Sequence, residues 1–324
     1  MNKRWSCLAI GCALAVLGPQ PSHADPRAGF ALVGASSTGA ETRAWAVAKN
    51  SLPAGLSVLV GVSGTQLRAT QLFQKLYPGL LASNRDARDA IEMTKARCNI
   101  DLVQSIDSLV IGLQKHDKGV FVIGLNGVDR DAVTSCIGKL VSAEDASHKL
   151  TVKQQGNINE YSVSGEKDKL YAAWLAKDVV AVTTDPSDKA LLKKLTAGGL
   201  KGDSIGKTAS SLKTDAALWA VTTRSEFFPE LGEAKVNKAY GTTNFQGGHV
   251  DVNGHVILDT AAHATLAAAR ISSQIDAQRQ NNPLAGGLLR NVSVSAVGQD
   301  VTVTGNFVES DLASLAGLFL GGAH

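Results

Sequence analysis

The chain has 324 residues, 44% of them hydrophobic and 19% charged, with a mean hydropathy of +0.03. That is too much apolar surface for a disordered chain, and nothing in it is collagen-like or biased toward a coiled coil. Lys and Arg number 32 against 29 Asp and Glu, a formal charge of +3, which argues against nucleic-acid binding, where clustered cations are needed.

Residues 1–24 read as an address. Lys3 and Arg4 precede the apolar run Cys7–Leu17, then come Pro19, Pro21 and Ser22-His23-Ala24, with small residues at −1 and −3. This is the pattern of a secretory signal peptide cut after Ala24. The apolar run is about half what a membrane-spanning helix needs. The rival reading, lipid attachment at Cys12, has Ala9 where Leu is usual. The expected mature protein is exported, periplasmic or extracellular, with no transmembrane segment. Cleavage would leave Cys98 and Cys136. An even pair in an oxidising compartment reads as a disulfide, worth about 4 kcal/mol for a loop of this length. The alternatives are two buried thiols or a redox pair, which favours Cys-x-x-Cys spacing.

Residues 25–50, rich in Ala, Gly, Ser and Thr, read as a flexible leader, with order beginning by Leu56. Leu56–Val62 is strand-like. Thr65–Leu76 has helical spacing and a stop at Pro78-Gly79; Asp86–Cys98 is a second helix. Ser108–Gln114 and Val120–Leu125 form a hairpin around Lys115–Gly119, followed by a helix over Asp129–Leu140. Leu150–Gln155 pairs with Ile158–Ser164, and Leu170–Leu175 with Val179–Thr184; Ser187 caps a helix through Leu195. Thr196–Lys207 reads as a midpoint linker. Ala217–Thr223 is a strand. Tyr240–Val252 and His255–Thr260 are predicted to pair around Asn253-Gly254, the strongest short turn signal in the chain. A long helix over Ala261–Arg279, a hairpin of Asn291–Val297 with Val301–Phe307, and a helix from Ser310 complete the pattern.

The two halves close alike. Lys177-Asp178 joins two strands and is followed by Ser187-Asp188; Gln299-Asp300 does the same and is followed by Ser310-Asp311, at nearly the same offset. One plan used twice points to a duplicated unit rather than a solenoid. Hairpins with helices between them predict an α+β fold with largely antiparallel sheets and helices covering one face. The expected division is a signal peptide over 1–24, a leader over 25–50, and α+β halves over 51–200 and 201–324.

The search for chemistry yields weak candidates. Gly202–Thr208 approximates a phosphate loop but has three residues between its glycines instead of four, and reads as polar linker. Ser-x-x-Lys occurs at Ser164, Ser204 and Ser210, without a nucleophile elbow anywhere. Glu226 and Glu230 flank Phe227-Phe228-Pro229, which reads as a helix-opening turn with buried aromatics. Trp45, Trp174 and Trp219 are too scattered for a stacking platform. His249, Asp251, His255, Asp259 and His263 form the densest group of ligand-type side chains. With a turn at Asn253-Gly254, His255 would face away from His249 and Asp251, so exposed polar strand groups are expected and a metal is not.

The segments Leu52-Pro53-Ala54, Val58–Val62, Leu67-Arg68-Ala69-Thr70, Cys98-Asn99-Ile100-Asp101 and Ser105–Val110, with Cys136 in the next helix, resemble a loose group of uncharacterised exported proteins of myxobacteria and related bacteria. Asn99 stands where Gly is usual. The resemblance implies export, a Cys98–Cys136 bridge and an α+β fold; it implies no activity, cofactor or catalytic residue. The expectation is a non-enzymatic exported module that binds a protein or envelope component across its sheet or between its halves. The alternatives are a carrier for an apolar ligand and a metal-dependent hydrolase seeded by His249, Asp251 and His255.

Overall fold

The structure is a computed structural model that describes residues 41–115, 118–195 and 199–314. The expected signal peptide, most of the expected leader and the tip of the Lys115–Gly119 loop lie outside the described residues. Two compact units emerge. The first comprises Thr42–Gly55 and Pro78–Gly202; the second comprises Leu56–Tyr77 and the chain from Asp203. The fold is α+β with antiparallel pairing.

The first unit begins with α1 (Arg43–Ser51), where a flexible leader was expected. Composition misled there, because one large side chain outweighs many small ones. Trp45 is fully buried, as are Ala44 and Ala48, and α1 packs on the sheet strands β2 (Ile106–Leu113), β3 (Gly119–Leu125), β6 (Lys169–Ala176) and β7 (Val179–Thr183). The Ala44 amide donates to the Ser108 hydroxyl at 2.9 Å, and Arg43 pairs with Asp178 while donating to the Leu125 carbonyl at 3.0 Å. Burying a Trp side chain is among the largest single contributions a helix can make.

Strand order in this unit is β2-β3-β7-β6-β5-β4, with β4 at Leu150–Gln155 and β5 at Ile158–Val163. Central β7 is buried throughout, whereas edge strand β4 exposes Lys153, Gln154 and Gln155, which discourages further strand addition. Opposite α1, α6 (Arg130–Glu144) buries Cys136, Ile137, Leu140 and Val141 against β4 and against α4 (Arg85–Cys98). Asp129 caps α6 and Asn84 caps α4 through their side chains. Asn99 ends α4 in the left-handed region at φ 57°, a conformation that Asn tolerates better than other non-glycine residues. A short helix, α5 (Leu102–Ser105), leads into β2. After β7, α7 (Lys189–Lys194) is capped by Asp188; Ser187, the expected cap, instead bonds Asp185.

In the second unit β1 (Val58–Ser63) pairs with β8 (Leu218–Thr222), although β1 comes early in the chain. Trp219 lies flat over Gly61, where a Cβ would sit 2.0 Å from the indole. Helix α2 (Gly64–Arg68) follows, then α3 (Gln71–Ser83), which runs through Pro78 rather than stopping there. Thr70 and the buried Glu309 carboxylate accept the Phe73 and Leu72 amides and so hold the start of α3. The supposed linker contains α8 (Ser204–Ser210), capped by Asp203 and burying Ile205 and Ala209.

The remaining strands are β9 (Val236–Gln246), β10 (His249–Leu258), β11 (Val292–Val297) and β12 (Asp300–Val308), in the order β1-β8-β9-β10-β12-β11. The turn between β9 and β10 is Gly247-Gly248, not Asn253-Gly254. Both glycines have positive φ, 60° and 77°, as a type I′ hairpin turn requires. Asn253 and Gly254 lie inside β10, paired on both sides. Helix α9 (Ala261–Asn281), trailed by α10 (Pro283–Leu289), covers one face of this sheet, where Leu258, Val301, Ala264 and Ala267 form a core.

The order hairpin, helix, hairpin, helix recurs. In the first unit it is β2-β3, α6, β6-β7, α7; in the second it is β9-β10, α9, β11-β12 and the helix from 309. In both, the last strand pairs with the second strand of the first hairpin, β7 with β3 and β12 with β10. The β4–β5 hairpin is extra to the first unit. Trp45→Ala is expected to lower unfolding free energy by about 3–5 kcal/mol, measured by urea denaturation; a loss under about 1 kcal/mol would mean that α1 is not docked.

Candidate binding face

The position of the β9–β10 turn decides what the second unit presents to solvent. Side chains alternate along a strand, and β10 runs unbroken from His249 to Leu258. Its even positions, Val250, Val252, Val256 and Leu258, therefore share one face with Val301 and Val303 of β12 and Val294 of β11, the side that carries α9. Its odd positions project the other way.

That opposite face is a grid of polar side chains set by register. Asn244, Asp251 and Asn306 form one row across β9, β10 and β12. Asn253, Thr304 and Ser293 form the next, extending to β11, while Thr242, the β9 partner of Asn253, is buried. Tyr240, His255, Thr302 and Ser295 form a third. Rows lie about 7 Å apart along the strands, and neighbours within a row about 5 Å. The Asn306 amide donates to Asp251, and the Ser293 and Thr304 hydroxyls bond each other. The His255 ring stacks on Tyr240 with centroids 4.8 Å apart, and its Nδ1 lies 2.8 Å from Asp300. Burial, and secondarily the Asp300 charge, push the Tyr240 hydroxyl above its usual range, so it remains a neutral donor at physiological pH. Lys238 lies over the Tyr240 ring and donates to Thr208 at 3.3 Å.

His249, Asp251 and His255 thus share a face after all, contrary to the expectation from a turn at Asn253-Gly254. They do not converge. His255 lies six steps along the strand from His249, about 20 Å, while a metal's ligands meet at about 2 Å. Among the described residues no group of three or more His, Cys, Asp or Glu side chains is placed to hold an ion. His263 bonds Asp259 at 2.7 Å, and that contact holds the Asp259 carboxyl below its usual range.

The other candidates resolve as structure. The Gly202–Thr208 run is the start of α8. Ser164 accepts the Lys149 amide beside β4. Glu226 and Glu230 lie on separate 3₁₀ turns, and Phe227, expected to be buried, is 47% exposed; Phe228 joins the α9 core. Trp45, Trp174 and Trp219 are buried. Tyr240 and Asn253 went unmarked by sequence reasoning. The signal for them was present, since the alternation Val250-Val252-Gly254-Val256-Leu258 continues straight through Asn253-Gly254.

Cys98 and Cys136 form a disulfide with Cα atoms 5.2 Å apart, joining the end of α4 to the middle of α6. Among the described residues no helix is long and apolar enough to cross a membrane. Neither protein-family models nor curated proteins match the sequence. Among solved structures the chain is similar to TP0453. For crystal form III the TM-score is 0.49 at 10% identity, covering 86% of this chain and 99% of that one. Form IV gives 0.46 at 12% identity, covering 84% and 98%.

In the first unit the nearly buried Glu160 bonds Lys169 at 2.7 Å, with Lys189 at 3.9 Å, and the Lys169 contact leads in holding its carboxyl below the usual 4.5. A lowered carboxyl binds its proton less readily folded than unfolded. It therefore adds stability above that value and withdraws it as pH falls through the lowered one. Glu160→Gln is expected to reduce the urea midpoint at neutral pH, with the gap to wild type closing below pH 4.5; a constant gap would overturn this. Replacing Cys98 and Cys136 together by Ser is expected to cost about 4 kcal/mol, and the unreduced wild-type protein should show neither of these thiols in a thiol titration under denaturant.

Proposed function

We propose that the protein is an exported, non-enzymatic binding module of the cell envelope, periplasmic or extracellular, and that it works through the polar face of β9–β12. The signal-like N-terminus and the Cys98–Cys136 bridge support export. The observation that carries the binding role is the grid of rows from Asn244–Asp251–Asn306 to Tyr240–His255–Thr302–Ser295. Amides, hydroxyls and an imidazole supply both donors and acceptors with little net charge. That mixture suits a ligand rich in hydroxyls, and an extended glycan can span several rows at once. The stacked Tyr240–His255 pair adds an aromatic patch against which the C–H face of a sugar can pack. An apolar-ligand carrier would need an apolar wall, and a hydrolase would need converging groups; this face has neither.

The test is a soluble-glycan panel, read by titration calorimetry, with wild type and an Asp251→Ala/Asn253→Ala variant. Each lost hydrogen-bonding group is worth about 0.5–1.5 kcal/mol, so the double variant is expected to bind roughly tenfold more weakly at unchanged thermal stability. Equal binding by the variant, or no glycan bound by wild type, would overturn the reading.

A further inference from the structure

A second surface, in the first unit, has the opposite chemistry. Between the end of α4, one side of α6 and the start of β4 lies an open groove of about 810 Å³. Arg97, Lys139 and Lys149 line it, together with Ser135, Gly138 and Leu150, and no acidic side chain is among the lining residues. None of the three cations is in an ion pair among the described residues, while Asp101 bonds Lys95 and Asp145 accepts from Ser147. The Ser135 hydroxyl has no partner among the described residues, whereas Ser142 spends its hydrogen on the Gly138 carbonyl. Ser135 and Lys139 stand one turn apart on α6 and so face the same way.

The disulfide builds this arrangement. Arg97 precedes Cys98 and Ser135 precedes Cys136, so the bridge holds these two backbone positions close, and their side chains line the same groove. Gly138 has no side chain to fill the space, since a Cβ there would meet only Leu150, at 3.9 Å.

We infer that this groove is a binding site for a phosphate group. Three uncompensated cations exceed what one carboxylate can satisfy. A phosphate ester brings up to two charges and three acceptor oxygens, which suit a forked guanidinium, two ammonium groups and a hydroxyl. The site is separate from the polar face and does not depend on the glycan reading.

The experiment has two arms on the full mature chain: calorimetric titration with glycerol 3-phosphate, and co-sedimentation with vesicles of phosphatidic acid in phosphatidylcholine. Binding in the first arm assigns a soluble phosphate ester, and binding in the second alone assigns a lipid headgroup. In either arm Lys139→Gln/Lys149→Gln is expected to weaken binding at least tenfold, while Lys139→Arg retains it. Gly138→Met, which fills the groove without changing charge, is expected to block binding with the circular dichroism spectrum preserved. Both lysines are on the surface, so the Gln variants should fold, and matching spectra and thermal melts check this. Binding in neither arm, or equal binding by the double Gln variant, overturns the proposal.

Discussion

Two adjacent glycines hold the second unit in register. Gly247 and Gly248 both adopt positive φ, and that geometry matches the right-handed twist of the strands they join. From the turn outward, every residue of β9 and β10 is committed to one side of the sheet. A slip of one residue would carry Val250, Val256 and Leu258 into solvent and drive Asp251 and His255 against α9. The apolar core under α9 and the polar grid on the other face are thus two consequences of one turn. The packing energy of the first enforces the geometry of the second, because exposing those valines costs far more than any rearrangement of surface hydroxyls could recover.

The recurring order of elements makes the contrast between the units instructive. Both build hairpin, helix, hairpin, helix with matching strand adjacency. In the first unit both faces of the sheet are occupied, by α1 and α7 on one side and by α6 on the other. Its central strand β7 is correspondingly apolar on both faces and buried along its whole length. In the second unit the rows across β9–β12 read as strict alternation. Strands buried on one side can keep a polar set on the other, and function can be written into that set without cost to the core.

Much of this was legible. The hairpins flanking Gly156-Asn157, Lys177-Asp178 and Gly298-Gln299 follow from strand periodicity and turn residues, and so do α4, α6 and α9. The failures have physical causes. Asn253-Gly254 is a strong local turn signal, yet a turn there would reverse the faces of the valines on either side; the nonlocal demand prevailed. Pro78 removes one helical hydrogen bond, but α3 is held at its start by Thr70 and Glu309 and continues. Trp45 sits in low-complexity sequence, and only the sheet it docks against reveals its worth. The polar grid was invisible for a different reason. It is assembled from the four arms of two hairpins, and its rows exist only once register is known.

The edge strand of the second unit shows how such a surface avoids uncontrolled pairing. Strand β11 carries no charged side chain, and Val297 at its end is 79% exposed. An uncharged edge of alternating Val and Ser would invite another strand. Arg279, near the end of α9, answers this. Its guanidinium donates to the Leu289 carbonyl at 2.7 and 3.0 Å and to the Val292 carbonyl at 3.0 Å. Asn291 already accepts the Asn306 amide on the inner side, so alternation turns the Val292 carbonyl outward, where an incoming strand would need it. One long side chain thus satisfies the first acceptor of the edge, ties α9 and α10 to β11, and leaves the Ser293 and Ser295 hydroxyls on the polar face. The same helix that fills the core beneath the sheet guards its margin.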